Sequence, residues 1–156
     1  MPGHPGSFGH ERLDSQLDWL VAMRDLLERA GGTTAPLVGI SVGGALAADI
    51  AALWNSDSSA LVLVAPLGVH DPGDPIADVW AQRAESLPSL FCAAPERYLA
   101  HRAIPEGADP TEWEMDLVRA ATAEARLLWP LCDTGLLGRL PRLRARTLLL
   151  WGEQDR

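Results

Sequence analysis

Gly39-Ile40-Ser41-Val42-Gly43 is the stretch of this sequence whose residue types and spacing point most directly to chemistry. A serine hydroxyl is a weak nucleophile at neutral pH until a base takes its proton and a rigid turn aims it. The pattern G-x-S-x-G serves the second need. It puts the serine on a bend so tight that the hydroxyl stands clear of the sheet, where side chains in place of Gly39 and Gly43 are expected to collide with neighbouring backbone. A helix starting directly after the bend directs its free N–H groups and positive dipole end at the serine, and the Val42 N–H is then placed to stabilise an oxyanion. Ser41 is therefore the candidate nucleophile of an acyl transfer. The alternative is an ordinary glycine-rich turn that holds a phosphate. Neither G-x-G-x-x-G nor a following Gly-Lys-Ser/Thr is present to support it.

Asp155 is the second candidate, in Trp151-Gly-Glu-Gln-Asp155 just past an apolar run. An acid there reaches the same carboxyl edge as Ser41 if both runs are strands of one parallel sheet, and it can orient a histidine and stabilise its imidazolium. Taken alone, that ending reads as a solvated loop. The four histidines are His4, His10, His70 and His101. His70 is the best placed as a base because it follows the strand ending at Ala65, although all four read as surface residues. Asp71 and Asp74 are alternative acids nearby, and Asp74 is already explained as a helix cap.

These groups need elements to carry them. Ala35–Ile40 reads as a short strand and Ala45–Leu53 as a small-residue helix, so Ser41 falls at a strand-to-helix junction. Upstream, a glycine- and proline-rich loop covers the first ten residues, and an amphipathic helix runs from Leu13 to Leu27 with Gly31-Gly32 as its stop. Past the polar break Asn55–Ser59, Ala60-Leu-Val-Leu-Val-Ala65 is apolar at every position, as in a strand covered on both faces of a parallel sheet. Asp74-Pro75 predicts a helix whose face carries Ile76, Val79, Trp80, Arg83, Ala84 and Leu87. Asp109-Pro110-Thr111-Glu112 predicts another through Leu128. Thr147–Trp151 returns to a buried strand pattern, after a basic cluster, Arg139, Arg142, Arg144 and Arg146, that reads as a solvated connection. Trp80, Trp113 and Trp129 either line an apolar cleft or pack the middle helices onto the sheet, with packing the favoured role.

Composition narrows the function classes. At 156 residues the chain has the size of one domain, and 47% apolar content is enough for a core. A formal net charge of -8 repels phosphate backbones and anionic lipid, so no nucleic acid or membrane partner is expected. Cys92 and Cys132 are too few and too far apart for a disulfide framework or a zinc site, which fits a reducing cytoplasm, with no metal and no cofactor expected. No basic start with a following apolar stretch marks export, and nowhere do 18 apolar residues run together.

The motifs together resemble the α/β-hydrolase family over nearly the whole chain. Pro5-Gly6-Ser7-Phe8-Gly9 is similar to a Pro-Gly-x-Gly loop after an early strand, Leu37-Val-Gly-Ile-Ser-Val-Gly-Gly44 to the nucleophile elbow, and Leu61-Val-Leu-Val-Ala-Pro66 to the next core strand. Thr147–Asp155 is similar to the strand and turn that bear the family's acid. The resemblance implies an α/β fold: a partial α/β-hydrolase fold, with a mostly parallel sheet flanked by helices and an inserted helical cap. It divides the chain into 1–67 as core, 68–141 as cap, and 142–156 as core strand and acid turn. It also implies a serine hydrolase of ester, thioester or related small-molecule carbonyl substrates, with Ser41 as nucleophile, Asp155 as acid and Val42 N–H as half the oxyanion hole. A serine, where the dehalogenase and epoxide hydrolase branches use aspartate, argues against those two branches, and perhydrolase and acyltransferase chemistry stay open. The family's histidine follows the acid and its early strands precede the Pro-Gly loop. Neither is in this sequence, so the chain reads as a fragment that is inactive or nearly so by itself. The other reading is a non-catalytic remnant or binding module with a hydrolase-like pocket.

Overall fold

The computed structural model describes residues 1–54, 59–129, 131 and 133–155. Cys132 and the residues 55–58 of the expected polar break lie outside these. After a loop and a 3-10 turn (His10–Arg12), a capping box opens α1 (Gln16–Arg29). Ser15 Oγ accepts the Asp18 N–H at 3.2 Å, and Asp18 Oδ2 accepts the Ser15 N–H at 2.8 Å. The Ser15 hydroxyl above all, joined by the Ser15 and Asp14 N–H groups, holds the Asp18 carboxyl below its ordinary value. A lowered folded-state pKa stabilises above the ordinary value and is lost as pH falls through the lowered one. The protection of the Asp18 and Trp19 amides against hydrogen exchange is therefore expected to be flat from neutral pH down to about pH 5 and to fall below it. A decline already present at neutral pH contradicts this.

Three parallel strands form the sheet in the order β1 (Leu37–Ile40), β2 (Ala60–Val64), β3 (Arg146–Leu150). Val38, Val62 and Leu148 share one register position, and Ile40, Val64 and Leu150 another. Between β1 and β2 runs α2 (Val42–Leu53), whose alanine-rich surface lets it pack closely on two sides. Ala47, Ala48 and Ala51 face Leu61 and Leu63 of the sheet, together with Leu136. Val42, Leu46 and Ile50 face Trp19 and Leu20 of α1 and Ala123, Leu127 and Leu128 of α5 (Pro110–Leu128). The α5 start is the one predicted: Asp109 Oδ1 accepts the Glu112 N–H at 2.9 Å. Short helices α3 (Leu87–Phe91), α4 (Pro95–His101) and α6 (Leu136–Arg139) complete the stretch between β2 and β3.

Three expectations are corrected. No helix spans Asp74–Leu87; only a 3-10 turn at Ala84–Ser86 and the start of α3 are helical there. A side chain takes backbone donors that a helix would use, since Asp78 Oδ1 accepts from the Trp80 and Ala81 N–H groups, while just before this stretch Asp71 Oδ1 accepts from the Gly73 N–H. Asp74 thus caps nothing, and its N–H bonds the Asp71 carbonyl. The tryptophans tie this irregular segment to α5, through Trp80 Nε1 to Ala121 O at 3.3 Å and Trp129 Nε1 to Asp78 Oδ2 at 3.1 Å. Secondly, β2 is covered on one face only, with Leu61 and Leu63 buried and Val62 and Val64 half-buried. Thirdly, β3 is exposed at every residue, because it is an edge strand that α2 does not reach. Val38, Ile40, Leu148 and Leu150 leave the opposite sheet face bare, each 46–67% exposed.

Candidate active site

β1 leads directly into Ser41, which has φ 51° and ψ −119°. A side-chain-bearing residue is strained there, at a cost of order 1–3 kcal/mol that the surroundings must offset. They do so through the backbone. The Ser41 N–H donates to Val64 O at 3.0 Å, and its carbonyl accepts from Gly44, Ala45 and Leu67 N–H at 2.9, 3.2 and 3.1 Å. The hydroxyl takes no part in capping α2. With the Gly44 and Ala45 donors turned onto Ser41 O, the Val42 N–H opens the helix at its positive end.

Among the described residues the one other non-glycine with positive φ is Ala65, at 40°, one position beyond the strand pair Ile40–Val64. Two strained residues thus stand side by side on the carboxyl edge of the sheet. Space around the bend is short. A Cβ on Gly39 lies 2.5 Å from Gly43 O and 2.6 Å from Gly44 Cα. At Gly43 a Cβ meets nothing nearer than Met1 Sδ at 3.9 Å, so the second collision predicted from the sequence falls instead at Gly44, whose Cβ lies 2.8 Å from Pro66 Cβ.

Asp155 lies beyond the carboxyl end of β3, in a turn where its N–H bonds Gly152 O at 3.2 Å. Because the strands are parallel, Ser41 and Asp155 follow the same edge of the sheet, on strands β1 and β3 that are separated by β2. No described contact joins the two. The histidines are not all surface residues: His10 is half-buried with Nδ1 enclosed and without a hydrogen bond, and His4 Nε2 is 3.1 Å from Glu124 Oε1. His101 is exposed at the end of α4. His70 is half-buried and lines a small depression with Leu67, Gly68, Ile76, Leu128 and Thr134. The Leu67–Gly68 wall of that depression belongs to the loop that bonds the Ser41 carbonyl.

Sequence reasoning missed Asp49 and Arg139. Asp49 is fully buried in α2. Arg139, read as solvated, grips it with Nε on Oδ1 at 2.5 Å and Nη2 on Oδ2 at 2.9 Å, and Gln16 Nε2 adds a bond to Oδ2 at 2.9 Å. The hydrogen bonds to Asp49, opposed in part by burial, raise the Arg139 pKa, so the guanidinium stays charged. A signal was available: Asp49 is the one charge in Val42–Leu53, and a buried charge requires a partner.

The sequence model of the alpha/beta hydrolase family matches residues 1–156. No curated protein matches the chain. Solved structures do. A candidate lipase of Acinetobacter baumannii AYE superposes with a TM-score of 0.59 at 20% identity, covering 96% of this chain and 53% of its own. A candidate aryl esterase from Burkholderia cenocepacia gives 0.60 at 20% identity, over 98% and 59%. A candidate hydrolytic enzyme from Pseudomonas aeruginosa PAO1 gives 0.53 at 27% identity, over 90% and 49%. The chain spans about half the length of these proteins.

Proposed function

This chain belongs to the alpha/beta hydrolase family, and on that premise we propose that it carries the nucleophile and acid of a serine acyl-transfer reaction on ester, thioester or related carbonyl substrates. The observation behind this reading is the conformation of Ser41: a left-handed bend held by four backbone bonds, with its hydroxyl not engaged as a helix cap, ahead of the first turn of α2. The lipase and esterase names of its structural neighbours favour carboxylic esters.

In this mechanism Ser41 Oγ attacks the substrate carbonyl carbon while a histidine takes the hydroxyl proton, and the Val42 N–H bonds the oxyanion that forms. The carboxylate of Asp155 orients that histidine and stabilises its charged form. Collapse of the tetrahedral intermediate expels the alcohol or thiol, which receives the proton. Water then releases the acyl group as an acid and frees Ser41. Residues 68–141 act as the cap over this edge. The two cysteines fit a reducing cytoplasm.

No histidine follows Asp155 in these 156 residues. The chain assayed alone is accordingly expected to turn over p-nitrophenyl esters at close to the background rate, since an unassisted hydroxyl stays protonated at neutral pH. A fluorophosphonate probe is expected to modify it slowly at one site that Ser41→Ala removes. No modification at all favours the binding-module reading, and ester turnover abolished by Ser41→Ala overturns the expected inactivity.

A further inference from the structure

Hydrogen bonds, joined by the covalent chain within Thr134 and between Gly68 and Leu67, connect the buried Asp49 to the backbone of Ser41. Arg139, fixed on Asp49, donates from Nη2 to Thr134 O at 2.9 Å. Thr134 Oγ1 donates to Gly68 O at 2.7 Å. The residue before Gly68 is Leu67, whose N–H reaches Ser41 O at 3.1 Å. Each link joins a different piece of the fold: the middle of α2, the segment leading into β3, the loop after β2, and the strained bend.

We propose that Thr134, anchored by the Asp49–Arg139 pair, is a positioning residue for Ser41, holding the loop after β2 so that the Leu67 N–H stays on the Ser41 carbonyl. Two of the three donors on that carbonyl come from α2 itself, Gly44 and Ala45. Leu67 is the one that comes from outside the helix, and so the one that a distant residue can set. Gly68 itself, with φ 107°, has a glycine's conformational freedom, and it passes close to Leu136 and Ala45, 3.0 and 3.1 Å from where a Cβ would stand. Nothing but the Thr134 hydroxyl fixes the Gly68 carbonyl among the described hydrogen bonds. A residue with φ 51° returns to a relaxed conformation unless both of its peptide planes are held. The consequence for Ser41 reactivity rests on the nucleophile reading above, whereas the consequence for the loop does not.

The test uses the full chain and two readouts. Thr134→Val keeps the shape and removes the hydroxyl; Thr134→Ser keeps the hydroxyl. The Leu67 amide is expected to exchange with deuterium about tenfold faster in Thr134→Val and near the original rate in Thr134→Ser. The rate of fluorophosphonate modification of Ser41 is expected to fall in parallel in the valine variant and to recover in the serine variant. Should Thr134→Val fail to fold, Arg139→Lys, which keeps a cation on Asp49 but loses the two-pronged grip, is expected to speed Leu67 exchange in the same direction. An unchanged Leu67 amide in the folded variant, or a serine variant as fast as the valine one, overturns the proposal. A parent chain that never reacts with the probe counts against the nucleophile reading alone, because the exchange measurement still decides the role of Thr134.

Discussion

Arg139→Ala is expected to destabilise the chain by about 3–5 kcal/mol, a large share of what holds a domain of this size together. The reason is the charge that it strands. Asp49 has no exposed surface, and without Arg139 it keeps only the Gln16 amide. A carboxylate in that setting is left buried without a counter-ion, which weakens the folded state. Removing the pair together has a different outcome. Asp49→Leu with Arg139→Met replaces both ends by apolar groups among the alanines of α2, and such exchanges are often neutral or stabilising by about 1–4 kcal/mol. Urea denaturation of the two single variants and the double variant measures this directly. An Arg139 variant as stable as the parent means that water or another group reaches Asp49. The raised Arg139 pKa gives no pH dependence in the working range. A group whose folded-state pKa is raised stabilises at every pH below its ordinary value, and for a guanidinium that covers all ordinary conditions.

Gly39→Ala is the second large effect. The added methyl lands 2.5 Å from Gly43 O and 2.8 Å from Gly43 C, and both are backbone atoms that cannot rotate away. Either β1 withdraws from α2 or the bend at Ser41 opens. Overpacking of this kind costs about 1–3 kcal/mol or more, and the variant is expected to lose both stability and fluorophosphonate reactivity at Ser41. Gly43→Ala separates the bend from the motif. It sits in the first turn of α2 with nothing nearer than 3.9 Å, and it is expected to be neutral or to stabilise by about 0.5–1 kcal/mol through the better helix propensity of alanine. Thermal melts of the two variants side by side decide it, and an equal loss from both means that the crowding at the bend is not where the geometry puts it.

Much of the arrangement was legible in the residues. The all-apolar run at Ala60, the small-residue helix after Ser41 and the Asp109-Pro110 start each carry their own local signal, and each forms within a few residues of where periodicity and capping place it. The bend at Ser41 was legible for a steric reason, since only a glycine at position 39 tolerates the approach of the helix backbone. What failed was information that no local pattern holds. Asp74-Pro75 has the composition of a helix start, but the Asp78 carboxylate takes the Trp80 and Ala81 N–H groups that the helix needs. Whether an apolar strand is covered depends on what lies above it, so the Leu148–Leu150 run looks the same in the sequence whether it is interior or at an edge. The partner of Asp49 is 90 residues away, beyond the reach of any periodicity.

The bare face of the sheet bears on how copies of this chain behave among themselves. Val38, Ile40, Leu148 and Leu150 present wet hydrocarbon, and among the described residues the outer edges of β1 and β3 are unpaired. Against that attraction stands a formal charge of -8, which keeps molecules apart as long as its field extends across the gap. Added electrolyte shortens that field to within a few ångströms while leaving the hydrocarbon as unfavourable in water as before. Ionic strength thereby becomes a variable that decides whether the chain stays dispersed.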